Sequence, residues 1–238
     1  EIMPSLVGSE MCIRDSGNGA ELARLSGVKV VSRFYRSDLS AGGQGSPLAP
    51  VFHAALAAKF DKPLAVVNIG TVSSVTWIGA NGELIAFDCG PGNCAVNEWV
   101  LKRGGMNMDY NGKLAITGQI DNHVLDSLMH HKFLAKFPPK AADRNTFREK
   151  LEHLEGLSLA DGAATATAFI EEAVAYSLAL YVPEPPQKIV VCGGGAENPT
   201  LMRFLRSRLA SAEILTASEA GWNLSLIHIS EPTRLGMI

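Results

Sequence analysis

The period of the apolar positions changes along the chain and divides it into elements. GNGAELARLSG (17–27) has a helical spacing and closes on Gly27, and the β-branched run VKVVSRFY (28–35) follows it. PLAPVFHAALAAKF (47–60) again repeats apolar residues on a helical period, with its prolines in the first turn, where a missing N–H is tolerated. Phe60-Asp61-Lys62-Pro63 breaks the pattern, and a domain boundary is placed there, between 17–62 and 63–224. Three strand candidates come next: LAVVNIG, VSSVTWI and ELIAFD. The last two are joined by Ala80-Asn81-Gly82, and Asn-Gly between apolar runs is the strongest short hairpin signal. GPGN (90–93) ends the third strand and opens the helix CAVNEWVLKR, after which 104–118 reads as irregular. Helices are expected over 120–135 and 144–155, separated by FPPK (137–140). A longer helix over 161–181 aligns Phe169, Ala173, Tyr176 and Leu180 on one face before Pro183, Pro185 and Pro186 stop it. IVVC (189–192) reads as a short, isolated buried strand, GGGAENP as a glycine turn, and TLMRFLRSRLA as a basic-faced helix. Antiparallel strands, then helices, then a strand–turn–helix predict an α/β domain with a mixed sheet.

Composition narrows the function class. The 238 residues are 47% hydrophobic and 19% charged, an ordinary globular balance with enough apolar material for a sizeable core. A net charge of −3 provides no basic field for nucleic acid or an anionic membrane, and no apolar run approaches a membrane span. Cys12, Cys89, Cys94 and Cys192 form no CxxC pair and have no histidine at zinc spacing, so reduced thiols in a cytoplasmic protein are expected, with no metal cluster. His130-His131 reads as part of a solvated helix face. The ends differ from the middle. Residues 1–16 and 225–238 follow neither period and resemble translated sequencing-adapter read-through, so they are expected to be foreign tails on a fragment.

The candidate chemistry is concentrated at glycines. SDLSAGGQGSPLAP (37–50) sets Gly42, Gly43, Gln44 and Gly45 behind Asp38, and it reads equally as a loop or as a site where backbone approaches a ligand. The strand–Gly193-Gly194-Gly195–helix arrangement points N–H groups at a ligand and favours negative charge; a tight structural turn is the plainer alternative. Asn198 stands where it could bond a base or ribose. A dinucleotide fingerprint fits poorly, because GxGxxG would need glycine at 198, and there is no GxxxxGK[ST] loop. Asn68 and Gly70 in NIG form a second small-residue turn. Asp88 and Asn93 put polar groups at a strand end, the usual place for ligand contacts in α/β sheets, although on this segment alone Asp88 reads first as a cap of the following turn.

In order, Asp38 before AGGQGSPLAP, NIG…VTWIG, FDCGPGN, PPK and CGGGAENPTLM resemble the anhydro-N-acetylmuramic acid kinase family, from about Gly17 to Glu219. The resemblance implies an actin/hexokinase-like, ribonuclease H-like kinase fold of two α/β domains closing over ATP. The implied reaction opens the 1,6-anhydro ring of an amino sugar with water and phosphorylates its 6-oxygen, with ATP and Mg²⁺, in peptidoglycan recycling. By that resemblance Asp38 is the general base and Gly42, Gly43, Gln44, Asp88 and Asn93 face the sugar. Asn68, Gly70, Gly193, Gly194, Gly195 and Asn198 would hold the nucleotide, with Lys140 either an ATP contact or an ordinary surface lysine. Gly193–Gly195 is expected to share one cleft with Gly70 and Asp38. The resemblance also implies a homodimer. The chain departs from the family pattern at Thr71 and Ser74, where a glycine and an asparagine are usual, at Asn97, where an acidic residue is common, and at Arg33-Phe34-Tyr35, where DFR is usual. The family's GTSMDG phosphate loop and its C-terminal EA-rich helix are not found, so the fragment is expected to be inactive alone. An N-acetylhexosamine kinase of the same superfamily and a non-catalytic nucleotide-binding module are the alternatives.

Overall fold

A computed structural model describes residues 18–33 and 35–222. The expected foreign tails lie outside the described residues. Helix α1 (Gly19–Ser26) starts where the Asn18 side chain accepts from the N–H groups of Ala20 and Glu21, and it ends at Gly27, φ 67°. The β-branched run after it forms no strand over 28–33. Val28 and Val31 are exposed, so no core face rewards a ladder, and the chain turns instead into the short helix α2 (Tyr35–Ser40). Asp38 therefore sits on a helical turn rather than in the loop proper. Helix α3 (Pro50–Leu56) begins with its proline in the first turn and continues as a 3-10 turn over Ala57–Lys59.

Strands β1 (Leu64–Ile69), β2 (Val72–Ile78) and β3 (Leu84–Pro91) form an antiparallel meander, with Gly82 at φ 87° in the predicted hairpin turn. Helix α4 (Asn93–Gly104) follows directly. The helix expected over 120–135 is two, α5 (Asn122–Met129) and α6 (Lys132–Ala135), because Asp121 and then His131 each cap a new start. His131 thus interrupts the helix and packs its ring 5.0 Å from that of Phe147, which corrects the solvated-face expectation for that residue, while His130 is exposed as expected. Helix α7 (Arg148–Leu151) runs into a 3-10 turn, and the long α8 (Leu159–Leu180) starts at a Ser158 cap. Strand β4 (Lys188–Cys192), a 3-10 turn over Gly194–Glu197, helix α9 (Pro199–Arg208) and strand β5 (Glu213–Thr216) complete the described chain.

The five strands lie in the order β3-β2-β1-β4-β5, with β4 parallel to both β1 and β5. The expected α/β mixed sheet is present, and β5 corrects the reading of β4 as isolated. Alternation in β1 sends Ala65, Val67 and Ile69 to one face and Leu64 and Val66 to the other. The first face carries the larger core with α4, α5, α8 and α9; the second packs against α3, Phe60 and Trp222. Helix α8 is buried on nearly every side, not along one face, because α4, α5 and α9 surround it and β3 crosses it. Its predicted stripe therefore fails at the end: Leu180 is exposed. No helix among the described residues is long and apolar enough to cross a membrane.

Candidate functional site

Strands β1, β3 and β4 run in one direction, so their C-terminal ends share one edge of the sheet. Each ends in a glycine-bearing turn, and the three turns touch. Asn93 donates its backbone N–H to the Gly70 carbonyl (2.8 Å) and its side-chain amide to the Ile69 carbonyl (3.2 Å), while Gly92 N–H reaches Thr71 O (3.0 Å). Gly193, at φ 78°, lies so close to β1 that a Cβ would stand 2.5 Å from Asn68 Oδ1 and 2.7 Å from Ile69 O. A Cβ on Gly195 would meet the Ile69 side chain at 2.4 Å, so the glycines are required by contact as well as by backbone angle. Gly194 is exposed, with a Cβ position 3.3 Å from Asn93 Nδ2. The first intrahelical bond of this turn runs from Ala196 N to Gly193 O, which leaves the N–H groups of Gly194 and Gly195 without intrahelical acceptors. Asn68, Gly70, Asn93 and Gly193–Gly195 are thus brought together.

Asp38 is served by its own glycines. Its Oδ2 accepts the Gly45 N–H at 2.7 Å, its carbonyl accepts the Gly43 N–H at 2.8 Å, and a Cβ on Gly43 would stand 2.1 Å from the carboxylate. Gly42 and Gly45 turn at φ 87° and 72°, and Gln44 is half-buried between them. The cluster wraps the carboxylate. The bonds from Gly43 and Gly45 to Asp38 are local, and none of these joins Asp38 to the three turns.

The other predicted residues have built roles. Asp88 is buried, and its Oδ2 accepts Ala142 N–H at 2.8 Å while its own N–H donates to Lys140 O at 3.1 Å, so it ties β3 to a distant segment. Lys140 is 1% exposed, which corrects the surface reading. Its ammonium donates to the carbonyls of Leu134 (3.2 Å) and Phe133 (3.4 Å) and lies 4.2 Å from the Tyr181 ring centroid. Burial pulls its pKa down to about 8, with Cys89 and Asp88 opposing the shift and Lys136 adding to it. Asn198 uses its side-chain oxygen to cap α9, accepting from Thr200 N and Leu201 N, so that oxygen is committed to the helix start and not to a base.

Two buried groups carried no sequence signal. His53 on α3 bonds Thr76 Oγ1 at 2.9 Å, and burial lowers its pKa to about 4. Glu171 on α8 has its Oε1 without a hydrogen-bond partner, and burial raises its pKa to about 8, with Glu172 adding to the shift and Arg208 opposing it. A single acid or histidine in a mostly apolar stretch looks the same in sequence whether buried or exposed. Between α4 and α7 lies a groove of about 560 Å³, and it holds none of the predicted site residues.

The family model for anhydro-N-acetylmuramic acid kinase matches residues 9–228. The chain belongs to the anhydro-N-acetylmuramic acid kinase family. Relatives bearing that name include proteins from Methylobacterium nodulans, 45% identical over 213 residues, and Methylorubrum populi, 46% identical over 209 residues. These alignments cover 89% and 87% of this chain but 56% and 54% of the relatives, so the chain spans about half their length. Among solved structures, a ROK family glucokinase from Streptomyces griseus in complex with glucose and AMPPNP aligns with 92% of this chain and 72% of its own, at 15% identity and a TM-score of 0.38.

Proposed function

We propose that the full-length protein opens 1,6-anhydro-N-acetylmuramic acid with water and transfers the γ-phosphoryl group of ATP to the freed 6-oxygen. The products are N-acetylmuramic acid 6-phosphate and ADP, which fits peptidoglycan recycling in the cytoplasm. The observation that carries the reading is the meeting of three glycine turns at one sheet edge, with the Gly194 and Gly195 N–H groups without intrahelical acceptors and Gly194 exposed. Backbone donors at a helical start suit polyphosphate. Gly70 and Asn93 tie the turns to each other, Asn68 lies against Cys192, and Asn198 caps α9. Asp38 is the base: it takes a proton from the water as that oxygen bonds the anomeric carbon and the bond to the 6-oxygen breaks. That oxygen then attacks the γ-phosphorus, and ADP leaves. Among the described residues no group of three or more His, Cys, Asp or Glu is placed to hold a metal ion. Mg²⁺ would accordingly be held largely by phosphate oxygens and water, and it would neutralise charge on the transferred group. A homodimer belongs to the same proposal.

The test is turnover of the full-length protein with the anhydro sugar and ATP in ¹⁸O-water, quenched early. The expected product carries one ¹⁸O at the anomeric carbon and phosphate at the 6-oxygen. Phosphorylation of an ordinary N-acetylhexosamine without label indicates the sister kinase reading, and ATP binding without turnover indicates a nucleotide-binding module. Asp38→Asn should keep sugar and ATP binding while turnover falls on the order of 10²–10⁴-fold. Near-wild-type turnover from that variant removes Asp38 from the chemistry.

A further inference from the structure

His53 is 1% exposed in the middle of α3, and its two ring nitrogens have different surroundings. Nδ1 shares a hydrogen bond of 2.9 Å with Thr76 Oγ1, whereas Nε2 has no partner among the described residues. Burial lowers the ring's pKa to about 4, so it is neutral at ordinary pH and brings no charge to the sheet. A buried ring nitrogen without a partner costs stability that an apolar side chain of similar size would not. Stability alone therefore does not account for the histidine.

The rest of the contact between α3 and the sheet has no direction of its own. Phe52 and Leu56 pack with Leu64, Val66 and Val190 on the second face. Apolar contact of that kind is non-directional and tolerates small displacements. A hydrogen bond fixes a distance and an angle. Thr76 is well placed to receive one. It is 1% exposed and pairs with Val66 of β1 and Ala86 of β3, the strands on either side of β2 that lead into the Gly70 and Gly90–Asn93 turns. The His53–Thr76 bond thus registers α3 against the strands that build the three-turn edge.

On its other side α3 is tied closely to Asp38. Residues 46–49 alone separate Gly45 from Pro50, and Pro47 and Pro50 each fix one backbone angle. Gly45 is buried, and its N–H donates to Asp38 Oδ2 at 2.7 Å. Ala49 is 1% exposed and accepts the His53 N–H at 2.9 Å, so this short link ends on the histidine's own helical turn. A displaced α3 moves the donor that aims the carboxylate.

We propose that His53 is a positioning residue: its bond to Thr76 fixes α3 on the sheet and, through residues 46–49, holds Gly45 and the Asp38 carboxylate in register with the three-turn edge. This rests on the reading of Asp38 as the base. His53 touches no substrate; it acts through α3 and Gly45.

The experiment compares three variants of the full-length protein. His53→Phe fills the space without the bond, Thr76→Val removes the other partner, and His53→Asn offers an amide that can stand in for Nδ1. The readouts are turnover per folded molecule at saturating sugar and ATP, the ATP dissociation constant and the melting temperature. His53→Phe and Thr76→Val should each lower turnover about ten- to a hundredfold while the ATP dissociation constant stays within about twofold, because a misplaced base slows the chemistry without disturbing the sheet edge. Combining the two should be no slower than the slower single variant, since the same bond is lost only once. His53→Asn should turn over faster than His53→Phe. A merely structural role would lower the melting temperature and leave turnover per folded molecule unchanged. Wild-type turnover in His53→Phe or Thr76→Val overturns the proposal, and so does a loss of ATP affinity as large as the loss of turnover. If His53→Phe does not fold, Thr76→Val decides by the same two criteria. Asp38→Asn measured alongside separates this role from the reading beneath it. Wild-type turnover in Asp38→Asn removes the base and the proposal with it, whereas slow turnover there beside wild-type turnover in the His53 and Thr76 variants removes the positioning role alone.

Discussion

Glu171 shows what burial does to one side chain on α8. Arg208, the nearest cation recorded for it, stands 3.8 Å from its Oε1 and is engaged instead by Glu172 at 2.9 Å. With its pKa raised from 4.5 to about 8, the folded protein holds a proton on Glu171 that the unfolded chain gives up. Its contribution to stability is therefore complete below about 4.5 and is lost as pH rises to about 8. Glu171→Gln should match the wild type at pH 5 and exceed it at pH 8, by about 2–4 °C in melting temperature for each kcal/mol recovered. Superimposable pH–stability curves for the two proteins would contradict this. Lys140 acts in another window: its folded pKa is lowered, so its contribution grows with pH between about 8 and the ordinary 10.5. Much of the candidate site was legible at this scale. Glycines in clusters and asparagines at turns have few uses, so Gly70, Asn93 and Gly193–Gly195 could be picked out before any contact was known. Lys140 could not, because a lysine after Pro138-Pro139 reads as surface until Phe87, Phe133 and Tyr181 arrive from distant segments.

Between elements, the position of the Gly90–Asn93 turn depends on how closely β3 approaches α8. A Cβ on Gly90 would stand 2.5 Å from Ala173 Cβ, so two small residues face each other at the crossing. Ala173→Leu should push the two apart, costing about 1–3 kcal/mol of stability from overpacking. Because Asn93 follows directly, the same variant should weaken ATP binding more than it slows turnover at saturating ATP. Chemical denaturation paired with steady-state kinetics checks both, and unchanged ATP affinity would separate the crossing from the site. The hairpin at Asn81-Gly82 and the helix after GPGN were legible from turn chemistry, which is local. Strand β5 was not, because EILT is only four residues and owes its pairing to β4, its parallel neighbour. The exposure of Val28 and Val31, which leaves 28–33 outside the sheet, is likewise a tertiary fact that β-propensity does not report.

Across the whole molecule, the mixed sheet with helices could be inferred from element order, since antiparallel strands followed by strand–turn–helix leave few other arrangements. The closeness of Gly193 to Ile69 required the parallel pairing of β1 with β4, a contact across more than a hundred residues of chain that no local pattern encodes. The account stands on that convergence being a nucleotide site, and Gly194 tests it most directly. A methyl group there would meet only the flexible Asn93 amide, at 3.3 Å, so Gly194→Ala should change stability by no more than about 0.5 kcal/mol while it crowds the Gly194 and Gly195 N–H groups. The measurement is a calorimetric titration of the full-length wild type and Gly194→Ala with ATP. Saturable binding by the wild type and at least about tenfold weaker binding by the variant, at equal melting temperature, is the predicted result. Equal affinity in the two proteins would contradict the account.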